Sequence, residues 1–197
     1  MKRHCVFLAA LAMLASGVGA QTPVKKYDIK SGIVSYETVI KMGKMEIKST
    51  STVSFDDYGM KECRETYSDG ALVESFFSDG KDLYAAKHRT KKVFKQGPAS
   101  RGTELRVEWT EFGTEKDRQS GHFKKLPSKI IAGKECEMFE QNDGKGTVTQ
   151  YGGWNKILFY LGQKSNSMET TQRAVKVEEN ARISPEKFMV PRGYSVQ

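Results

Sequence analysis

The chain has 197 residues, 38% of them hydrophobic, and carries 32 lysines and arginines against 24 acids for a formal charge of +8. That length fits one domain and buries a core without needing metal or disulfide staples. The charges are interspersed, as on an ordinary soluble surface. After the first twenty residues no apolar run approaches the roughly 20 residues of a membrane-spanning helix, the longest being Ile157 to Leu161.

Met1 to Ala20 reads as a cleaved secretory signal peptide. Lys2 and Arg3 start it, Val6 to Ala15 is apolar, and Val18-Gly19-Ala20 supplies small residues before the cut. Cys5 precedes the apolar core instead of standing at the cleavage point, so it leaves with the signal and provides no lipid anchor. The loss of Lys2 and Arg3 lowers the charge from +8 to +6. A periplasmic chain, one domain over residues 21–197, is predicted, and export argues against nucleic acid as a partner. Cys63 and Cys136 remain. An oxidising compartment permits a disulfide between them, and two separate buried thiols fit the sequence as well.

Alternation at period two predicts strands. Val34 to Met42 and Met45 to Phe55 form a hairpin about Gly43, with Met45, Ile47, Ser49, Ser51, Val53 and Phe55 on one face. Asp57-Tyr58-Gly59, Asp69-Gly70 and Asp79-Gly80 are turn signals. They separate strands over 60–67, 71–77 and 83–88, and a further strand follows over 91–96. Spacing of about ten residues implies an antiparallel meander. Gly97 to Ser100 breaks the sheet. Leu105, Trp109 and Phe112 then fall at i, i+4 and i+7, which predicts a short amphipathic helix; Leu105, Val107 and Trp109 also alternate as a strand would. The charged stretch 115–125 reads as a loop. Strands follow over 135–141, 147–151, 157–161 and 168–179, with Gly152-Gly153 as a bend or bulge. Ser184-Pro185-Glu186 starts one helical turn carrying Phe188.

Catalytic chemistry is not legible. His88 and His122 stand apart without metal-ligand spacing, and nucleophile-elbow, metalloprotease and nucleotide motifs are absent. Neither enzymatic activity, cofactor nor metal is expected. Lys87, Arg89, Lys91 and Lys92, around His88 and with Lys95, make a basic patch suited to anionic head groups and peripheral membrane contact, or to guarding a sheet edge. The aromatics exceed what a small turn-rich sheet requires. Leu105, Trp109, Phe112, Tyr36, Phe55 and Trp154 are the candidate lining of an apolar cavity, and core packing is their other reading.

Ile131-Ala132-Gly133-Lys134-Glu135-Cys136 and Phe188-Met189-Val190-Pro191-Arg192-Gly193-Tyr194, with the glycine-punctuated meander, resemble the LolA-like periplasmic outer-membrane lipoprotein carrier superfamily and its relatives in Bacteroidetes-type bacteria. The resemblance implies a mainly β fold: a strongly curved antiparallel sheet, an incomplete barrel, with one or two short helices on its concave face. It implies a monomeric envelope protein that binds a lipid or lipoprotein acyl chain, with Leu105 to Phe112 as the lid. That group begins with an amphipathic helix, for which Gln21 to Ser31 is too short and polar. The alternative is an envelope structural or interaction protein with a filled core and no small ligand.

Overall fold

The computed structural model describes residues 25–99, 103–112 and 114–197. Met1 to Ala20, which carries the export reading, lies outside them. The first meander comprises β1 (Gly32–Met42), β2 (Met45–Asp56), β3 (Lys61–Ser68), β4 (Ala71–Ser78), β5 (Asp82–Lys87) and β6 (Lys92–Pro98). After a connecting segment and helix α1 (Glu115–Gln119) come β7 (Phe123–Ile131), β8 (Lys134–Asn142), β9 (Val148–Trp154), β10 (Ile157–Lys164) and β11 (Glu169–Glu179), and the chain closes with β12 (Ser195–Val196). These strands make one open sheet in the order β12-β6-β5-β4-β3-β2-β1-β11-β10-β9-β8-β7. The two meanders join where β1 pairs antiparallel with β11, and β12 adds to β6 in parallel.

Turn chemistry sets the hairpins. Asp69 and Gly70 both have positive φ, 49° and 77°, the backbone that a two-residue hairpin turn demands. Extra residues bend the second meander: Phe159 is inserted in β10 and Val175 in β11. Phe159 is buried in the core while Val175 faces solvent. The sheet is strongly curled. β7 touches β11, four places away in the strand order, whereas strands that far apart in a flat sheet would be about 19 Å from each other. The mainly β, incomplete-barrel expectation is therefore met.

Three apolar groups hold the sheet. The main core joins Tyr27, Val34, Tyr36, Val53 and Phe55 to Ile131, Cys136, Met138, Ile157, Phe159 and Ala174. A second lies on the opposite side of β3 to β6, where Phe188 packs with Cys63, Phe77, Ala86 and Val93. A third joins Val107, Phe139 and Leu158.

The structure corrects several expectations. Residues 105–112 are not an α-helix; they are extended, with one 3-10 turn at Trp109–Glu111. Within the stretch read as a loop, Glu115–Gln119 is helical with a Thr114–Asp117 capping box, and β7 begins at Phe123. β7 shows no clean alternation because most of it is exposed and Pro127 interrupts its pairing, as befits an edge strand. Gly152-Gly153 stays within β9, and the bulge lies opposite, in β10. Met45 and Ile47 face solvent, so only the Ser51 end of that β2 face is buried. Cys63 and Cys136 are free thiols in different apolar groups.

Candidate functional site

The concave face of the sheet is crossed by residues 103–112, a strap with little regular structure of its own. One end sits on β3. There Glu104 forms a two-pronged ion pair with Arg64, through Nε to Oε1 and through Nη2 to Oε2 at 3.1 Å. The pair is largely buried, the side chains being 17% and 6% exposed. Next to it, Glu62 of β3 is fully buried and accepts from four donors: Lys26 Nζ at 2.7 Å, the Tyr27 hydroxyl, and Thr103 N and Oγ1 at 2.9 and 2.8 Å. A buried carboxylate survives because its oxygens are satisfied in this way. Arg64 also donates to Ser51 Oγ at 3.3 Å and to Gln172 Oε1 at 3.2 and 3.3 Å. Its guanidinium lies 5.5 Å from the Tyr36 ring centroid.

The middle of the strap lies directly on β9. Val107 N donates to Lys156 O at 2.9 Å, and Arg106 makes an isolated bridge to Ile157. The approach is close enough to require a glycine: a Cβ on Gly153 would meet Val107 Cγ1 at 2.7 Å and Val107 O at 2.8 Å. Gly153 is thus a seat for the strap, a use of strand glycine that sequence alone cannot distinguish from a bulge.

The far end is aromatic. Phe112 packs on Phe139 and Tyr151 with centroids 4.7 and 4.8 Å away, and Trp109 packs on Phe139 at 5.5 Å. The floor beneath them follows from register. Phe139, Tyr151, Leu161 and Gln172 are directly opposed in turn across β8, β9, β10 and β11, so they share one face. An apolar floor therefore runs without a break into the polar group around Arg64.

Burial sets the ionisation here. It pushes Tyr27 and Tyr36 well above the ordinary tyrosine range, with Glu62 adding to the effect at Tyr27 and Glu104 at Tyr36. Burial also raises Glu104 above its ordinary value, against the pull of the Arg64 charge. The thiols of Cys63 and Cys136 are pushed up by burial to about 12 and about 11, which keeps them protonated and unreactive at neutral pH. Among the described residues no cluster of three or more His, Cys, Asp or Glu could hold a metal ion.

Of the predicted lining residues, the structure brings Trp109 and Phe112 together over Phe139, and it places Tyr36 against Arg64. Leu105 points to solvent at 45% exposure. Phe55 is sealed in the core against Tyr27, with centroids 4.9 Å apart. Trp154 packs on Phe159 at 5.5 Å with Lys134 Nζ above it at 4.7 Å, in the main core and not with the strap aromatics. The basic patch lies at the β5–β6 turn, two places from β3 and seven from β9 in the strand order. There Lys87 pairs with Glu74, while Arg89, Lys91 and Lys92 are exposed around the β5–β6 turn. The sequence reading missed Lys26, Glu62, Arg64, Glu104 and Gln172. A signal was present: Glu62 and Arg64 fall two apart in a strand, on a face whose neighbours in β2 are Phe55 and Val53.

No protein-family model matches the sequence, and no curated protein sequence matches it. Solved structures do resemble the fold. An uncharacterised conserved protein from Thermus thermophilus is 6% identical, with a TM-score of 0.57 over 88% of this chain and 93% of that one. MucB is 9% identical, with a TM-score of 0.50 over 86% of this chain, which spans only 61% of the MucB chain. A LolA superfamily protein, NE2245 from Nitrosomonas europaea, is 8% identical, with a TM-score of 0.42 over 84% and 92% of the two chains. At these identities the likeness is one of fold.

Proposed function

We propose that this is a non-enzymatic, monomeric binding protein of the cell envelope that holds an acyl chain or similar apolar ligand on the concave face beneath the strap. The observation that carries the reading is the strap's aromatic end. Trp109 and Phe112, on a segment with few backbone bonds, cover an apolar floor of Phe139, Tyr151, Leu158 and Leu161. An apolar chain of similar bulk replaces them at little net cost, because each methylene it buries contributes about 0.8 kcal/mol. Weakly bonded segments over packed strands are where local opening is least costly. The exposed Arg89, Lys91 and Lys92 supply a peripheral contact with anionic membrane surface at the far end of the sheet.

The test combines native mass spectrometry of protein purified from its envelope with titration by a fluorescent acyl probe. Gly153→Ala, which crowds Val107 off its seat, is the informative variant. Bound acyl lipid, or probe binding that strengthens in Gly153→Ala, supports the reading. Protein that carries no lipid and takes up no probe in either form overturns it. That outcome favours an envelope interaction protein with a filled core, a second reading supported by the complete sealing of Tyr36 and Phe55.

A further inference from the structure

The buried charges under the strap balance: Glu62 and Glu104 against Lys26 and Arg64. When the strap lifts, Glu62 and Lys26 keep each other. Glu104 leaves with the strap, and Arg64, which is 17% exposed while the strap is down, loses its counter-charge and keeps its seat beside Ser51, Gln172 and the Tyr36 ring. Unpairing leaves a guanidinium whose forked donors face the vacated carboxylate position, so the open form offers that position to another anion. A second group there already lacks a partner. Gln172 is 8% exposed, and its buried Nε2 has no hydrogen-bond acceptor among the described residues. Its orientation is fixed by chemistry, because a guanidinium only donates and the amide oxygen must face it. Arg64, Gln172 Nε2 and the Ser51 hydroxyl thus gather donors above the Tyr36 ring. A forked guanidinium suits a carboxylate or a phosphate, either of which it can grip with two hydrogen bonds.

We infer that Glu104 is a resident stand-in for the anionic head of an amphiphile, a carboxylate or a phosphate monoester. When the strap lifts, that head seats on Arg64 and Gln172, and the alkyl chain takes the place of Trp109 and Phe112. The inference rests on the binding function proposed above and adds the chemistry of the ligand's head. Register supports the layout. Gln172, Leu161, Tyr151 and Phe139 stand in one row over three strand spacings, about 14 Å, polar at one end and apolar along the rest. Head and chain sites are continuous.

The experiment measures affinities for dodecanoate, dodecyl phosphate and dodecanol, three ligands with one chain and different heads. Wild-type protein is expected to bind at least one of the anions about tenfold more tightly than the alcohol, and the stronger anion identifies the head. Glu104→Gln removes the competing carboxylate and also loosens the strap, so it should tighten the anions by more than it tightens dodecanol. Arg64→Met should reduce the anions to the level of the alcohol. Equal affinity for all three ligands overturns the inference and leaves the binding function standing. Anion binding that weakens in a folded Glu104→Gln also overturns it. Failure of all three to bind either protein overturns the binding function itself. If circular dichroism shows that the variants do not fold, the wild-type ratio of anion to alcohol decides alone.

Discussion

Two segments cross the sheet, and they are fastened in different ways. The C-terminal one, residues 180–197, lies over β3 to β6 and is anchored by apolar burial. Phe188 is 4% exposed among Cys63, Phe77, Ala86 and Val93, with Ile183, Val190 and Tyr194 beside it. Its end is stitched into the sheet as β12, with Ser195 N donating to Lys91 O and Gln197 N to Val93 O. The 103–112 strap has a shorter stitch and has it in the middle, where Val107 N donates to Lys156 O and Arg106 bridges Ile157. Its two ends are held by ion pairing and by half-buried rings, and neither end pairs with a strand as β12 does. Apolar burial cannot be replaced by solvent, whereas an ion pair and an aromatic contact can be replaced by another anion and another chain. The first fastening belongs to the fold, and the proposed binding function requires the second to be exchangeable.

The largest expected effect tests this contrast directly. Phe188→Ala should cost about 3–5 kcal/mol, the usual range for truncating a buried Phe. Trp109 is the larger side chain, yet it is only half-buried. Its replacement by Ala should cost about half as much, since the loss scales with buried area. Urea melts of both variants check the ranking. If Trp109→Ala proves as costly as Phe188→Ala, the strap is a structural element and the contrast fails.

A smaller effect is expected at the ion pair. Arg64→Met leaves Glu104 buried without its cation, and should cost about 3 kcal/mol, the lower end for breaking a buried pair, because Glu104 can still become protonated. Arg64→Met combined with Glu104→Met should recover most of that loss, since no charge is then stranded. Denaturation of the two singles and the double closes the cycle. Singles that cost nothing would show that the pair does not fasten the strap.

What the sequence displayed and what it hid follow from the same contrast. The β1–β2 hairpin was legible because one side of β2 is polar along its length, exposed at Glu46, Lys48 and Thr50, and Gly43 marks the turn. β3 was legible as a strand but not as a site. It has cover on both sides, with the strap over Glu62 and Arg64 and the C-terminal segment over Cys63, so no polar–apolar alternation betrays it. The partnership of Arg64 with Glu104 spans 40 residues, and no local pattern encodes it. The helix predicted at Leu105 to Phe112 has the right apolar spacing, but tertiary bonds decide against it. Glu104 is drawn to Arg64 and Val107 to Lys156, and these contacts hold the backbone extended while Leu105 faces solvent. Phe188 was legible because Pro185 fixes the turn that carries it.

The smallest expected effect concerns pH and belongs to the C-terminal segment. His88 bridges Ser75 Oγ and the Tyr194 hydroxyl, each 2.7 Å away. A neutral imidazole suits that position, donating through one nitrogen and accepting at the other, because each hydroxyl can take the complementary role. Burial lowers the His88 pKa below its ordinary 6.5, and Glu65, itself paired with Lys187, opposes the shift only in part. A depressed histidine pKa means that the unfolded chain binds the proton more readily. The stabilisation from neutral His88 is therefore present above about pH 6.5 and is lost as the pH falls through the lowered folded value. The melting temperature of wild-type protein should fall between pH 7 and pH 5 by more than that of His88→Asn, as followed by scanning calorimetry. Parallel pH profiles would mean that His88 does not secure Tyr194, leaving Phe188 and the β12 pairing to hold the segment.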